Sequence, residues 1–387
     1  MKKIGIGILA LTLAVLLAAP AMAESITPYA SMRLGTFWSH TEYNDYGPVL
    51  GEDDDDDLNI DLADISRFGA KGQVGDIFGH VELGLRHSSN AAGYDTCGAA
   101  DGTSSKPHYN RHVYTRLLYG TYKMNGATLM LGQNYTPTTF PSAQQGPGVF
   151  NLQNGFIGTG CLWDRRWPQI RVTLDNGFYV VAAEAYAGTS VSGAAAPPLG
   201  LTGGDYDVEL PKMFIGYAFN QEGFYIEPGF GYQTMTLNDV SGVEEDVDAW
   251  VAFVKGKVAL GSVDLQFAGH YGQNLNDFGM LGRPSSIAVI DADGDVEDCD
   301  SWGGYLQASF KIDPATLSVG WGYANDENDA IGDDADETMQ GFINCKIPIA
   351  DTFFVVPEFS YWDGMDDQYG NEDVDHWHLG ILWQMDF

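Results

Sequence analysis

The chain has 387 residues and a formal net charge of -34, with 53 acidic side chains against 19 basic ones. A field of that sign repels nucleic acid and attracts cations, and no basic patch argues against it. Abundant glycine (48) and aromatic residues (20 Tyr, 20 Phe, 9 Trp) at a mean hydropathy of -0.15 fit membrane-spanning strands, where only every second residue needs to be apolar.

Lys2 and Lys3 precede an apolar run from Ile4 to Ala19, then Pro20 and the small-residue site Ala21-Met22-Ala23. A positive region, a hydrophobic region and a cleavage site predict that residues 1–23 are a signal peptide and that the exported protein starts at Glu24. Beyond Ala23 no apolar stretch approaches the roughly 20 residues of a spanning helix. A membrane would therefore be crossed by strands.

Period-two alternation predicts sixteen strands. In chain order they are Thr27–His40, Ala63–Val74, Ile77–Ser88, Arg111–Lys123, Ala127–Tyr135, Trp167–Asp175, Phe178–Gly188 and Val208–Phe219. Then follow Phe224–Leu237, Val247–Leu260, Ser262–Asn274, Ser301–Ile312, Ala315–Ala324, Thr338–Ile347, Thr352–Trp362 and Val374–Phe387. Short connections such as Gly75-Asp76, Asn125-Gly126 and Asn176-Gly177, pairs suited to tight hairpins, alternate with long ones. The long connections begin near Thr41, Ser89, Thr136, Thr189, Asn238, Leu275, Asn325 and Asp363. Short turns on one rim, long loops on the other and an even strand count are the pattern of an outer-membrane barrel. The expected fold is all-β, a 16-stranded antiparallel transmembrane β-barrel over residues 24–387. Its last strand puts Trp377, Leu379, Ile381, Trp383, Met385 and Phe387 on one face and pairs with the first strand, so that no edge is left.

The same parity assigns the inner wall. A charge facing lipid near the midplane costs about 2–4 kcal/mol for Arg or Lys, so the charged parity is the inner one. It carries Arg33, Arg67, Lys71, Glu82, Arg86, Arg116, Arg171, Glu184, Glu227 and Glu358, together with His80, Lys212 and Lys255. Arg33, Arg67, Lys71, Arg86 and Arg116 come from the first four strands and are expected to form a basic ladder on one wall, with Glu227 and Glu358 elsewhere on the circumference. Two roles are open for such groups: selecting ions by sign, or pairing with one another and bracing the third long connection.

Ser66-Arg67-Phe68-Gly69-Ala70-Lys71-Gly72 resembles the second-strand motif of the Gram-negative general diffusion porins. Gly126-Ala127-Thr128-Leu129-Met130-Leu131-Gly132-Gln133 resembles their fifth strand, and the terminal Phe387 matches the residue that helps their assembly machinery recognise the chain. The resemblance spans essentially the whole chain after residue 23. It implies a homotrimer of barrels among outer-membrane lipid and lipopolysaccharide, with loops extracellular and termini periplasmic. Each barrel would be a water-filled channel for passive diffusion of small hydrophilic solutes and ions. It also implies that the third loop, Thr136 to Arg166, folds into the lumen, where Asp164, Arg165 and Arg166 are the candidate constriction residues. The acidic stretch expected of such a loop is absent, a departure from the family pattern.

Acidic residues crowd the long connections, as in Glu52 to Asp57, Glu244 to Asp246 and Asp333 to Glu337. They favour a weak cation preference; the alternative is a substrate-specific channel for sugars or carboxylates. No Ser/His/Asp set or phosphate-cradling glycine loop supports an enzyme, and no cofactor is required. Asp291, Asp293 and Asp295 place oxygen ligands as a calcium loop does, but Val296 and Trp302 stand where the loop glycine and glutamate belong. They are the candidates for a loose calcium site. Of the cysteines, Cys161 can pair with Cys97, pinning the second loop to the third, or with Cys299; the first pairing is expected and Cys345 stays unpaired.

Overall fold

The structure, a computed structural model, describes residues 25–43, 55–62, 66–88, 110–139, 159–185, 191–193, 205–208, 210–238, 244–280, 286–290, 296–328, 334–367, 369 and 374–387. Sixteen wall strands follow one another in the order of the chain. They are β1 (Ser25–Tyr43), β2 (Asp55–Leu62 and Arg67–Val74), β3 (Ile77–Ser88), β4 (Asn110–Met124), β5 (Ala127–Tyr135), β6 (Arg166–Leu174) and β7 (Phe178–Ala183). β8 is broken into Asp205–Asp207, Lys212–Tyr217 and Phe219–Gln221. β9 (Phe224–Asn238), β10 (Glu244–Leu260), β11 (Val263–Gln273) and β12 (Asp300–Ile312) complete the next stretch of wall. β13 (Ala315–Glu327), β14 (Asp336–Ala350), β15 (Phe353–Asp363) and β16 (Val374–Asp386) bring it back to the start.

Each strand pairs antiparallel with its chain neighbours, and β16 pairs with β1 from Ser31↔Asp386 to Tyr43↔Val374. The sheet closes on itself and every wall strand has two partners, which removes the edges that lipid cannot hydrogen-bond. The short turns use glycine where the chain needs positive φ, as at Gly126 (φ 83°) and Gly177 (φ 97°).

Burial is inverted relative to a water-soluble protein. Leu118, Leu306 and Leu379 are more than half exposed on the outer face, while Glu358 and Ser360 are sealed inside. Strand side chains alternate, so one pattern makes both a lipid-facing belt and a polar interior. Aromatic residues gather toward both rims of that belt: Trp38, Trp250, Tyr271, Trp302 and Trp377 toward the long loops, Phe310, Phe353 and Trp383 toward the short turns. That is where amphipathic rings settle at membrane–water interfaces.

Several segments depart from expectation. Glu244 to Asp246, expected in a long connection, begin β10 and pair with β9. Asp55–Asp57, expected in a loop, belong to β2 and pair with the upper part of β1, where His40 Nδ1 lies 3.0 Å from Asp56 Oδ1. Ladder bonds to a neighbour already in place outweigh the poor strand propensity of aspartate. β2 then breaks at Ser66, whose hydroxyl accepts from Arg33 N (3.0 Å) and donates to Arg33 O (3.1 Å), so the backbone of β1 stays satisfied across the gap. β8 is interrupted before Lys212 by Pro211, which has no N–H to give to a ladder.

Candidate functional site

The inner face of β1 to β4 is built around one carboxylate. Glu82 on β3 is buried, and Arg116 of β4 donates to its Oε1 through Nε at 2.7 Å. Arg67 Nε of β2 lies 3.3 Å from Oε2, which also accepts from Tyr29 OH at 2.7 Å. Arg116, itself buried, donates further to Tyr114 OH (3.2 Å) and Tyr135 OH (2.9 Å), and those two rings carry the Arg166 guanidinium at 5.9 and 5.4 Å. Arg67 and Arg116, two of the residues expected in a basic ladder, are stapled together by Glu82. A carboxylate between two guanidiniums makes charge-assisted hydrogen bonds that hold all three rigid and leave a net positive charge. Lys71 is exposed, with Nζ 5.5 Å from the Tyr29 ring, and Arg33 is half-buried with Nε donating to Ser31 Oγ at 3.3 Å. The side chain of Arg86 lies outside the described residues.

A second cluster lies on β6 to β10. Glu227 accepts from Tyr179 OH at 2.7 Å and from Tyr225 OH, and Lys255 Nζ lies 3.3 Å from its Oε2. Lys255 also donates to the carbonyl of Pro137 at 2.5 Å, and Arg171 Nη2 donates to the carbonyl of Tyr135 at 2.9 Å. Two cations of the wall thus hold the take-off of the third loop. Glu227, placed by parity away from the ladder on the circumference, is matched by its neighbour Lys255 on β10. Glu358 sits buried on β15 and accepts from Asn344 Nδ2 at 3.0 Å. Glu184 departs from its assignment: β7 ends at Ala183, and Glu184 is exposed on the outward parity of Val180.

The third loop is described over 136–139 and 159–165. Asp164 is buried and accepts from Lys212 Nζ (2.8 Å) and Trp167 Nε1 (3.0 Å). Lys212 is completely buried, so the pair is a desolvated ion pair whose loss on one side would strand the other charge. Arg165 points away, exposed, at φ 60°. Thr159 N donates to Gln340 Oε1 at 3.0 Å, and Cys161 packs fully buried with Tyr305 and Phe342. Cys161 is a free thiol and burial pushes its pKa up, so it is held in its unreactive form. Cys299 is likewise free and buried, so the free thiol of Cys161 corrects both the expected pairing with Cys97 and the alternative with Cys299; Cys97 itself lies outside the described residues. Cys345 is free, as expected. Asp291, Asp293 and Asp295 also lie outside the described residues, and among the described residues no three His, Cys, Asp or Glu side chains converge as a metal site would require.

Two features are absent from the sequence-based expectation. One is a small three-stranded sheet of Val191–Gly193, Ala288–Ile290 and Val296–Glu297; the other lies at the site. The sixth long connection opens with a short 3-10 helix, Leu275–Phe278, in which Leu275, Asp277 and Phe278 are buried. Apolar residues at 275, 278 and 280, in a segment otherwise read as a solvated loop, were the available signal.

A closed barrel with an apolar outside, aromatic rims and a charged, hydrogen-bonded inside defines a membrane-spanning β-barrel. The chain belongs to the Gram-negative porins: the family model described as "Gram-negative porin" matches residues 10–342. Among solved structures it resembles the outer membrane channel DcaP of Acinetobacter baumannii at a TM-score of 0.65 and 16% identity, over 94% of this chain and 97% of that one. It also resembles the anion-selective porin from Comamonas acidovorans (TM-score 0.52, 17% identity, 94% of this chain and 99% of that one). OmpT of Vibrio cholerae, described in its trimer form, gives a TM-score of 0.54 at 14% identity, over 94% of this chain and 99% of that one. A comparison with curated protein sequences gives no match. Family and fold are those of outer-membrane channels rather than enzymes.

Proposed function

We propose that the protein is a passive channel for small hydrophilic solutes and ions, with the third loop folded into the lumen and a weak preference for cations. The observation that carries this is the inner face itself: charged and amide side chains line a closed barrel whose outer face is apolar. An inward third loop is supported by its contacts. The loop leaves the wall at β5 and rejoins it at β6, yet Thr159 and Cys161 meet Gln340, Tyr305 and Phe342 of β12 and β14. The cation preference is supported by the charge of -34 and by the carboxylates near the long loops, while Glu82, Glu227 and Asp164 offset much of the basic wall. The trimer form of the OmpT relative supports a homotrimer. The same proposal includes removal of residues 1–23 on export, long loops facing outward and termini in the periplasm.

The reversal potential in a KCl gradient tests the selectivity. A small potential of the sign for K⁺ is expected, and Arg67→Gln with Lys71→Gln should move it further toward cations; an unmoved potential would remove those side chains from the ion path. A second reading, a channel specific for carboxylates, is favoured by the band of Tyr29, Tyr114 and Tyr135 interleaved with Arg67, Arg116 and Arg166. Conductance that saturates with a single carboxylate would favour it.

A further inference from the structure

The start of the sixth loop is not a solvated connection. Asn274 takes a left-handed conformation (φ 53°), the chain makes one 3-10 turn over Leu275–Phe278, and Gly279 (φ 71°) reverses it. Leu275 and Phe278 are fully buried in an apolar cluster with Phe214, Val251 and Leu162, the last of which belongs to the third loop. Such a cluster lies on the inner side of β7 to β13, where a uniformly wetted wall would carry polar residues.

The two loops are joined by backbone as well as side chain. Leu162 and Met280 form an antiparallel bridge, and Trp163 N donates to Gly279 O. A Cβ at Gly279 would run into the backbone of Trp163 and Asp164, so the close approach needs glycine there. The fully buried Lys212 ties both loops to β8, donating to Asp164 Oδ1 of the third and to the carbonyl of Asp277 of the sixth. Gln233 Nε2 of β9 donates to Asp277 Oδ2 at 3.1 Å. On the other side, Ser286 of the sixth loop is bound to Ser301 and Asp326 of β12 and β13.

We propose that residues 159–164 and 275–280 form one constriction element, clamped by Lys212, which fills the lumen beside β7 to β13 and confines solutes to the side of β1 to β3, where Arg33, Arg67 and Lys71 lie. The proposal rests on the channel reading above and extends it: the sixth loop, with the third, sets the size of solute admitted. A pore narrowed by the third loop alone would not need the sixth loop's apolar anchors or a buried lysine shared between the two.

The junction is tested with Leu162→Cys/Met280→Cys in a background lacking the four native cysteines. Opposed residues of an antiparallel bridge lie about 4.5–5.5 Å apart at Cα, within disulfide reach. Mass spectrometry of protein taken from outer membranes should find the 162–280 cross-link under oxidising conditions; its absence would overturn the proposal whether or not the protein conducts. The second arm compares single-channel conductance and uptake of sugars of increasing size for Lys212→Met and for Leu275→Ser/Phe278→Ser. The latter alters only the loop, so the wall assembles even if the buried lysine proves essential for folding. Larger conductance and entry of larger sugars are expected for each variant that assembles. Unchanged values with the cross-link present would overturn the constriction role and leave the channel reading intact. A wild type that assembles, cross-links and does not conduct would overturn the channel reading, and with it the solute-sieving role.

Discussion

Glu82→Leu is expected to weaken the folded barrel by about 3–5 kcal/mol, the usual cost of removing one partner from a buried ion pair, and to shift the reversal potential toward anions. Glu82 takes hydrogen bonds from Arg116 and Tyr29 and neutralises part of Arg67; without it two guanidiniums face each other across β2 to β4 with no anion between them. Arg116 cannot turn to water, because it is buried and its remaining nitrogens are committed to Tyr114 and Tyr135. Denaturant unfolding in detergent micelles measures the loss. Combining Glu82→Leu with Arg116→Leu should recover much of it, because the stranded charge is then gone as well, and the non-additivity is the signature of a coupled pair. Equal, additive losses would show that Glu82 and Arg116 do not depend on each other.

Leu306→Arg is expected to block assembly. Leu306 sits midway along β12 on the outer parity, about half exposed to what would be lipid, between Trp302 and Phe310 on the same face. An arginine near the midplane costs about 2–4 kcal/mol, and the carboxylate that β12 carries on that face, Asp300, stands at the far end of the strand beyond Trp302. Leu306→Ala, which removes apolar area without adding charge, should still yield folded barrels. Recovery of heat-resistant protein from outer membranes compares the two; equal recovery of both would contradict the assignment of that face to lipid.

Much of this architecture is legible in the sequence because alternation is a one-dimensional signal. Trp302, Leu306 and Phe310 read as one face and Ser301 and Gln307 as the other before any pairing is known, and the structure places them so. Lys212 and Glu82 read as inward for the same reason. What parity does not contain is register. That Glu82 meets Arg116 depends on the pairing of β3 with β4, which shifts at a bulge between Glu82 and Leu83. Asp55–Asp57 misled because their charge suggested a loop, whereas the exposed ladder of β1 decides their conformation. The inward turn of Leu275–Phe278 was hidden for a different reason: its partners, Leu162, Lys212 and Phe214, are distant in the chain and meet only once the barrel has closed.

Whether the closed barrel holds an open aqueous path is read from the current that purified protein passes in a planar lipid bilayer under symmetric KCl. Ohmic openings that appear in groups of three equal steps, one for each barrel of a trimer, are expected. Folded, inserted protein that passes no current would contradict an open path.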